Sequence, residues 1–128
     1  MANSVEEAVY EHLQSDSTFM GKFGGIAWYE GTFSYPYITF FQVDDPGTKT
    51  YLNTARQGEA RLQFDVWDDN KGRGALRRTE VREKIEDMNT TSGGYTLYTV
   101  NTNEATVQRQ DVTDPWHYVV DAIVRWFE

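Results

Sequence analysis

Asp68, Asp69 and Asn70 stand in a row inside the stretch Arg61–Arg73, RLQFDVWDDNKGR, between a strand-like alternation and a helix-like run. Three adjacent oxygen-bearing side chains are the kind that hold a hard cation. The spaced DxDxDG order of a calcium loop is absent, however. Arg73, Arg77 and Arg78 follow and crowd the first turns of the predicted helix. The macrodipole disfavours cations there by roughly 0.3–1 kcal/mol each. Two readings stay open for this corner. In one, the acids neutralise the arginines and Asn70 meets the free amides of the helix start. In the other, the arginines make a polar contact with a neighbouring subunit or with passing DNA.

Other chemistry finds little support. FMGKFGG, Phe19–Gly25, has the glycines and lysine of a phosphate loop but not the GxxxxGK[ST] order. Its Phe19, Met20 and Phe23 read as apolar plugs over one end of a core. The two histidines, His12 and His117, lie at opposite ends of the sequence, in no metal-ligand spacing, and no GxSxG elbow occurs. His12 is expected to be packed or at the boundary of the core. Carboxylate pairs for glycoside chemistry could be assembled from Glu30, Asp65 and Asp68 beside Trp28 or Trp67, but no spacing favours any pair. Asp44 and Asp45 precede Pro46 and read as turn initiators. With no cysteine in the chain, thiol catalysis, disulfides and thiolate metal sites are excluded. No catalytic, cofactor or metal residue is assigned, and a non-enzymatic role is expected.

The elements that must carry these residues belong to one domain, 1–128, a length that can bury a core without staples. The net charge of −8 disfavours unassisted binding to nucleic acid, because phosphate affinity comes from many Lys and Arg contacts. It suits a surface that DNA passes without sticking. No apolar run is long enough to span a bilayer. The opening MANSVEEAV has neither a basic n-region nor an apolar h-region, so no signal peptide is expected and the protein should assemble inside a cell.

Ser4-Val5-Glu6-Glu7 forms a capping box ahead of Val5, Ala8, Val9 and Leu13 at helical spacing, which predicts a helix over 4–15. Short strands are expected at Ile26–Glu30 and Ile38–Val43. The polar stretch 44–58, DDPGTKTYLNTARQG, is too long for a hairpin turn and reads as a contact arm, with Lys49, Tyr51 and Arg56 as its candidate contacts. Along Glu59–Trp67, Ala60, Leu62, Phe64 and Val66 alternate with Arg61, Gln63 and Asp65, as in a half-buried strand. Trp67 falls on the polar side, where an exposed tryptophan suggests an interface. In the following helix, to about Met88, Gly74, Arg77, Arg78, Val81, Ile85 and Met88 share one side, and Leu76 lies off it. Asn89–Gly94 reads as a turn-rich break. Tyr95–Gln110 is extended, with a bulge or a hairpin turn at Asn101–Glu104, and Asp111–Pro115 is a turn. In the terminal strand Trp116–Phe127 one face is Tyr118, Val120, Ala122, Val124 and Trp126. The other, with Val119, Ile123 and Phe127, is too apolar for open water, so a helix, a sheet or another subunit should cover it. The fold expected is α+β: an antiparallel sheet of four or five strands with two helices packed on one face.

Taken in order, VEEAVYEHL, FMGKFGGIAWY, YPYITFFQV, GEARLQFDVWDDNKGRG and DPWHYVVDAIVRWF resemble the tail terminator, or tail completion, proteins of long-tailed phages and related tailed viruses. The resemblance spans nearly the whole chain. It implies a virion protein that forms a ring, typically a hexamer, on the head-proximal end of the tail tube. Such a ring stops tube polymerisation and joins the tail to the head-tail connector protein, with DNA passing through the lumen and no cofactor. The residues placed at contacts with other subunits or the tail tube protein are Lys49, Tyr51, Arg56, Trp67, Asp68, Asp69, Arg73, Leu76, Arg77 and Arg78. A head-side connector or other neck ring protein is the nearest alternative, and a small ligand-binding domain or enzyme the distant one.

Overall fold

The computed structural model describes residues 4–28, 31–44, 50–52 and 55–128. Helix α1 (Val5–Gln14) begins as its sequence dictates, with the Glu7 amide donating to Ser4 Oγ at 3.1 Å. Asp16 then caps a one-turn helix, α2 (Ser17–Met20), by accepting from the Phe19 amide. The strands are β1 (Gly25–Trp28), β2 (Tyr37–Asp44), β3 (Thr50–Leu52) and β4 (Ala55–Asp68). Helix α3 (Lys71–Glu86) follows, and then β5 (Asn89–Ser92), β6 (Tyr95–Val107) and β7 (Trp116–Phe127).

The α+β class is as expected, but the sheet is larger and mixed. Its path runs β1-β2-β4-β7-β6-β5, with β3 added on β4. Strand β1 pairs with β2 in parallel, while the other pairs are antiparallel. A parallel neighbour normally needs a long crossover. Here β1 is only four residues long, roughly 13 Å at strand rise, so a short return suffices. Asn89–Gly94 is also not simply a break. Thr90 and Thr91 extend as an edge strand, and the chain reverses at Gly93 and Gly94, whose φ values of 58° and 88° favour glycine. Part of the expected arm at 44–58 is likewise strand, since β3 pairs with Ala55–Gln57. Strand β6 runs unbroken, with a register shift between Thr99 and Asn101 in place of the alternative hairpin turn.

Both longer helices feed one core. Val5, Ala8, Val9 and Leu13 of α1, with Val81 and Ile85 of α3, meet Ile38, Phe40, Leu62, Phe64, Val66, Val120 and Val124 of the sheet. The Phe40 and Phe64 rings stack at 5.0 Å. Phe19 is buried, Met20 and Phe23 pack against the core, and the Lys22 ammonium is spent on Glu80, which leaves FMGKFGG as a plug. His12 is partly buried, and its pKa is lowered by that burial, with Lys84 adding to the shift and Asp16 opposing it. The strands carry two alternating sets of side chains, so the second set lies on the face turned from the helices, the bare face, which no helix among the described residues covers.

Candidate functional site: the bare face of the sheet and the β4–α3 corner

The corner is a closed ion pair. Asp68 is fully buried, and Arg73 donates to it from Nε at 2.8 Å and Nη2 at 2.6 Å. The Asn70 amide adds a bond at 3.1 Å. Asn70 is the N-cap, accepting from the Arg73 amide at 2.9 Å. Burial pushes the Asp68 carboxyl up, but the Arg73 and Asn70 hydrogen bonds outweigh it and hold the group below its ordinary value. Both Asp68 oxygens are therefore committed to donors, and a cation there would have to displace a guanidinium. Asp69 also accepts from Arg73, at 3.0 Å, and stays exposed.

The same corner docks α3 on β7. The Tyr118 hydroxyl donates to the Lys71 carbonyl at 2.8 Å. Gly74 lets the helix approach, because a Cβ there would lie 2.6 Å from Tyr118 Cε2. Arg77 pairs with Glu80, which Lys22 also holds. Arg78 lies over the Tyr118 ring at 5.0 Å and donates to the Ala105 carbonyl and Thr106 Oγ1. The arginine cluster is thus engaged inside the chain, and for Arg77 and Arg78 the partners come from elsewhere than Asp68 and Asp69. Leu76 is the residue left over, 56% exposed on the outer side of α3.

Cross-strand register sets the bare face row by row. Tyr37, Trp67, His117 and Val107 form one row, and Thr39, Asp65, Val119 and Ala105 the next. Trp67 is half-buried, not projecting. Its ring stacks on His117 at 3.9 Å and 11°, and its Nε1 donates to Thr39 Oγ1 at 3.0 Å. Tyr37 stacks beside it at 6.3 Å, and burial, with Tyr35 adding, raises the Tyr37 phenol. Asp65, on the polar side by alternation, is buried beneath these rings, bonded to His117 Nε2 at 2.6 Å and Gln63 Nε2 at 2.9 Å.

Sequence reasoning missed this pair. The only signal was a WH dipeptide opening one strand and DVW closing another, and it becomes legible only once β4 and β7 are set antiparallel. An imidazole on a buried carboxylate is the base-and-orienter half of a nucleophilic site. Among the described residues no hydroxyl bonds to His117, and Trp67 covers one face of its ring.

Further along the face, Arg61 faces Asp121 at 3.8 Å and Arg125 donates to Glu59 at 2.9 Å. Around Arg61, Asp121, Asn101, Asn103 and Ile123 lies a shallow hollow of about 290 Å³. Lys49 lies outside the described residues, as do the side chains of Tyr51 and Arg56, whose backbones pair between β3 and β4. The structure therefore gathers Trp67, Asp68, Asp69, Arg73, Leu76, Arg77 and Arg78 at one end of the molecule, although Trp67 and Leu76 point from opposite sides of the sheet.

No protein-family description and no curated protein matches the sequence. Solved structures do match the fold. A chain from the virion of a native gene transfer agent particle is 12% identical, with a TM-score of 0.62, over 97% of this chain and 93% of that one. A second solved chain, whose name states no function, is 14% identical, with a TM-score of 0.56, over 98% and 96%.

Proposed function

We propose that the chain is a structural protein of a tailed virion or virion-like particle, and within it the tail terminator. In this reading it forms a ring, hexameric by the family resemblance, that caps the tail tube, ends its polymerisation and joins the tail to the head connector. The observation that carries the reading is the near end-to-end likeness in fold to a chain of a gene transfer agent virion. It coincides with a sequence resemblance drawn from residues alone. Two physical features support it. The sheet face turned from the helices leaves Ile123 partly exposed and Phe127 41% exposed. A net charge of −8 lets DNA pass a lumen without being held.

The test is to add purified protein to polymerising tail tubes and image the tube ends. Tubes should stop at a defined length and carry a ring at one end. Tubes that lengthen unchanged, with no added density, would remove the terminator assignment. Density on DNA-filled heads and not on tubes would move the protein to the head side of the neck.

A further inference from the structure

Resting on the ring reading above, we infer that the bare sheet face of one copy seats the outer side of helix α3 of the next copy. Leu76 of the incoming helix lies on Ala105, the exposed β6 end of the Val119–Ala105 row, and its acidic second half lies on Arg61. Two surfaces of the same chain keep exposed side chains, Leu76 and Glu83 on α3 and Arg61 and Ala105 on the sheet, and they point in opposite directions. Helix α3 buries Gly74, Val81 and Ile85 against the sheet, so its outer side faces away from the sheet, and the bare face lies on the far side. A contact between two different patches is head-to-tail, which is the kind that closes into rings.

Charge chooses the partner. On the bare face the internal ion pairs leave the base outermost: Arg61 is 49% exposed where its Asp121 is 29%. On the second half of α3 the order is reversed, with Glu83 62% and Glu86 52% exposed against 30% for Arg82. Basic groups thus protrude from one surface and acidic groups from the other, which favours the cross-copy contact and opposes face-to-face pairing of either surface with itself.

The spacing agrees. At 1.5 Å per residue, Glu83 and Asp87 lie roughly 10 and 16 Å along α3 from Leu76. At strand rise the Arg61–Ile123 row lies roughly 13 Å along β7 from the Val119–Ala105 row. An apolar anchor over Ala105 therefore brings the acidic end of the helix over Arg61.

The chain has no cysteine, which makes cross-linking specific. Leu76→Cys and Ala105→Cys, both at exposed positions, are made singly and together and oxidised at high protein concentration, with and without tail tubes. On a denaturing, non-reducing gel the double variant should give a ladder of dimer, trimer and higher species, while the single variants should run as monomer. Separately, Arg61→Glu and Glu83→Arg should each lower the oligomer fraction about tenfold, and their combination should recover most of it. A wild type with ring mass whose double variant gives no ladder would overturn the seating and leave the ring reading standing. So would Leu76→Cys alone giving dimers, which signals helix-to-helix contact. A wild type that stays monomeric in both conditions, with no ladder from the double variant, would overturn both.

Discussion

Strands β4 and β7 pair over most of their length, and each shows one half of its residues to the helices and the other half to a face that no helix covers among the described residues. On the covered side Leu62, Phe64, Val66, Val120 and Val124 are fully buried. On the bare side the same strands carry Arg61, Asp65, His117, Asp121 and Arg125 among Val119, Ile123 and Phe127. The covered side is built of groups that lose only hydrocarbon surface to water. The bare side tolerates water, because its charges are paired in place, yet it keeps enough apolar surface to gain from being covered. A face that must exist free before assembly and buried after it has to meet both conditions. The covered face has to meet only one.

The sharpest contrast is in truncation. Phe64→Ala, behind the helices, should cost about 3–5 kcal/mol of folding stability by the cavity it leaves. Ile123→Ala on the bare side should cost well under half as much in the free chain, and its effect should appear in assembly. Denaturant unfolding of the two variants measures the difference, and equal losses would mean that both faces are core.

Next comes the docking of α3. Gly74→Ala should destabilise by about 1–3 kcal/mol through overpacking on Tyr118, offset by at most about 1 kcal/mol of helix propensity. Gly72→Ala is the matched control. Its added Cβ meets nothing nearer than Asn70 Oδ1 at 3.7 Å, so it should be neutral or stabilising. Thermal unfolding separates the two.

A smaller effect follows from acid. Burial raises Asp68 and Glu80, but Arg73 with the Asn70 amide, and Lys22 with Arg77, outweigh it, so both carboxyls sit below their ordinary values. A lowered folded pKa means that the unfolded chain takes up the proton first. This stabilisation is therefore complete above the unfolded carboxylate pKa, about 4, and is lost as the pH falls through the folded values. Asp68→Asn should be less stable near neutrality and should show a flatter acid limb than the wild type. An unchanged slope between about pH 5 and 2 would show that the corner pair contributes nothing.

The smallest effect on folding should be at Leu76. Leu76→Ser should shift the unfolding free energy by no more than about 0.5 kcal/mol and still reduce assembly, as read by sedimentation. A loss of folding stability comparable to Gly74→Ala would make Leu76 part of the monomer.

Much of the fold was legible because its signals are local. The Ser4 cap, the alternation of Ala60–Val66 and the two-faced pattern of Tyr118–Phe127 each announce an element within a few residues. The parallel β1 was not, since neighbour choice in a sheet depends on what lies across it and not on the strand itself. Asn89–Gly94 carries the turn residues Gly93 and Gly94 beside Thr90 and Thr91, and those glycines serve to turn β5 back onto β6. At the site, the cap and ion pair of Asp68, Asn70 and Arg73 follow from sequence neighbours. The bond between Asp65 and His117 joins strands whose register no short motif encodes. Trp67 was placed on the correct face, but its stacking on His117 depends on the same register.

In the proposed assembly the bare face is covered by further copies of the chain. The most direct measurement is the mass of the particle formed by the purified wild-type protein, alone at high concentration and on tail tubes. A single closed species at a fixed multiple of the chain mass is expected. A protein that remains monomeric in both conditions would contradict it.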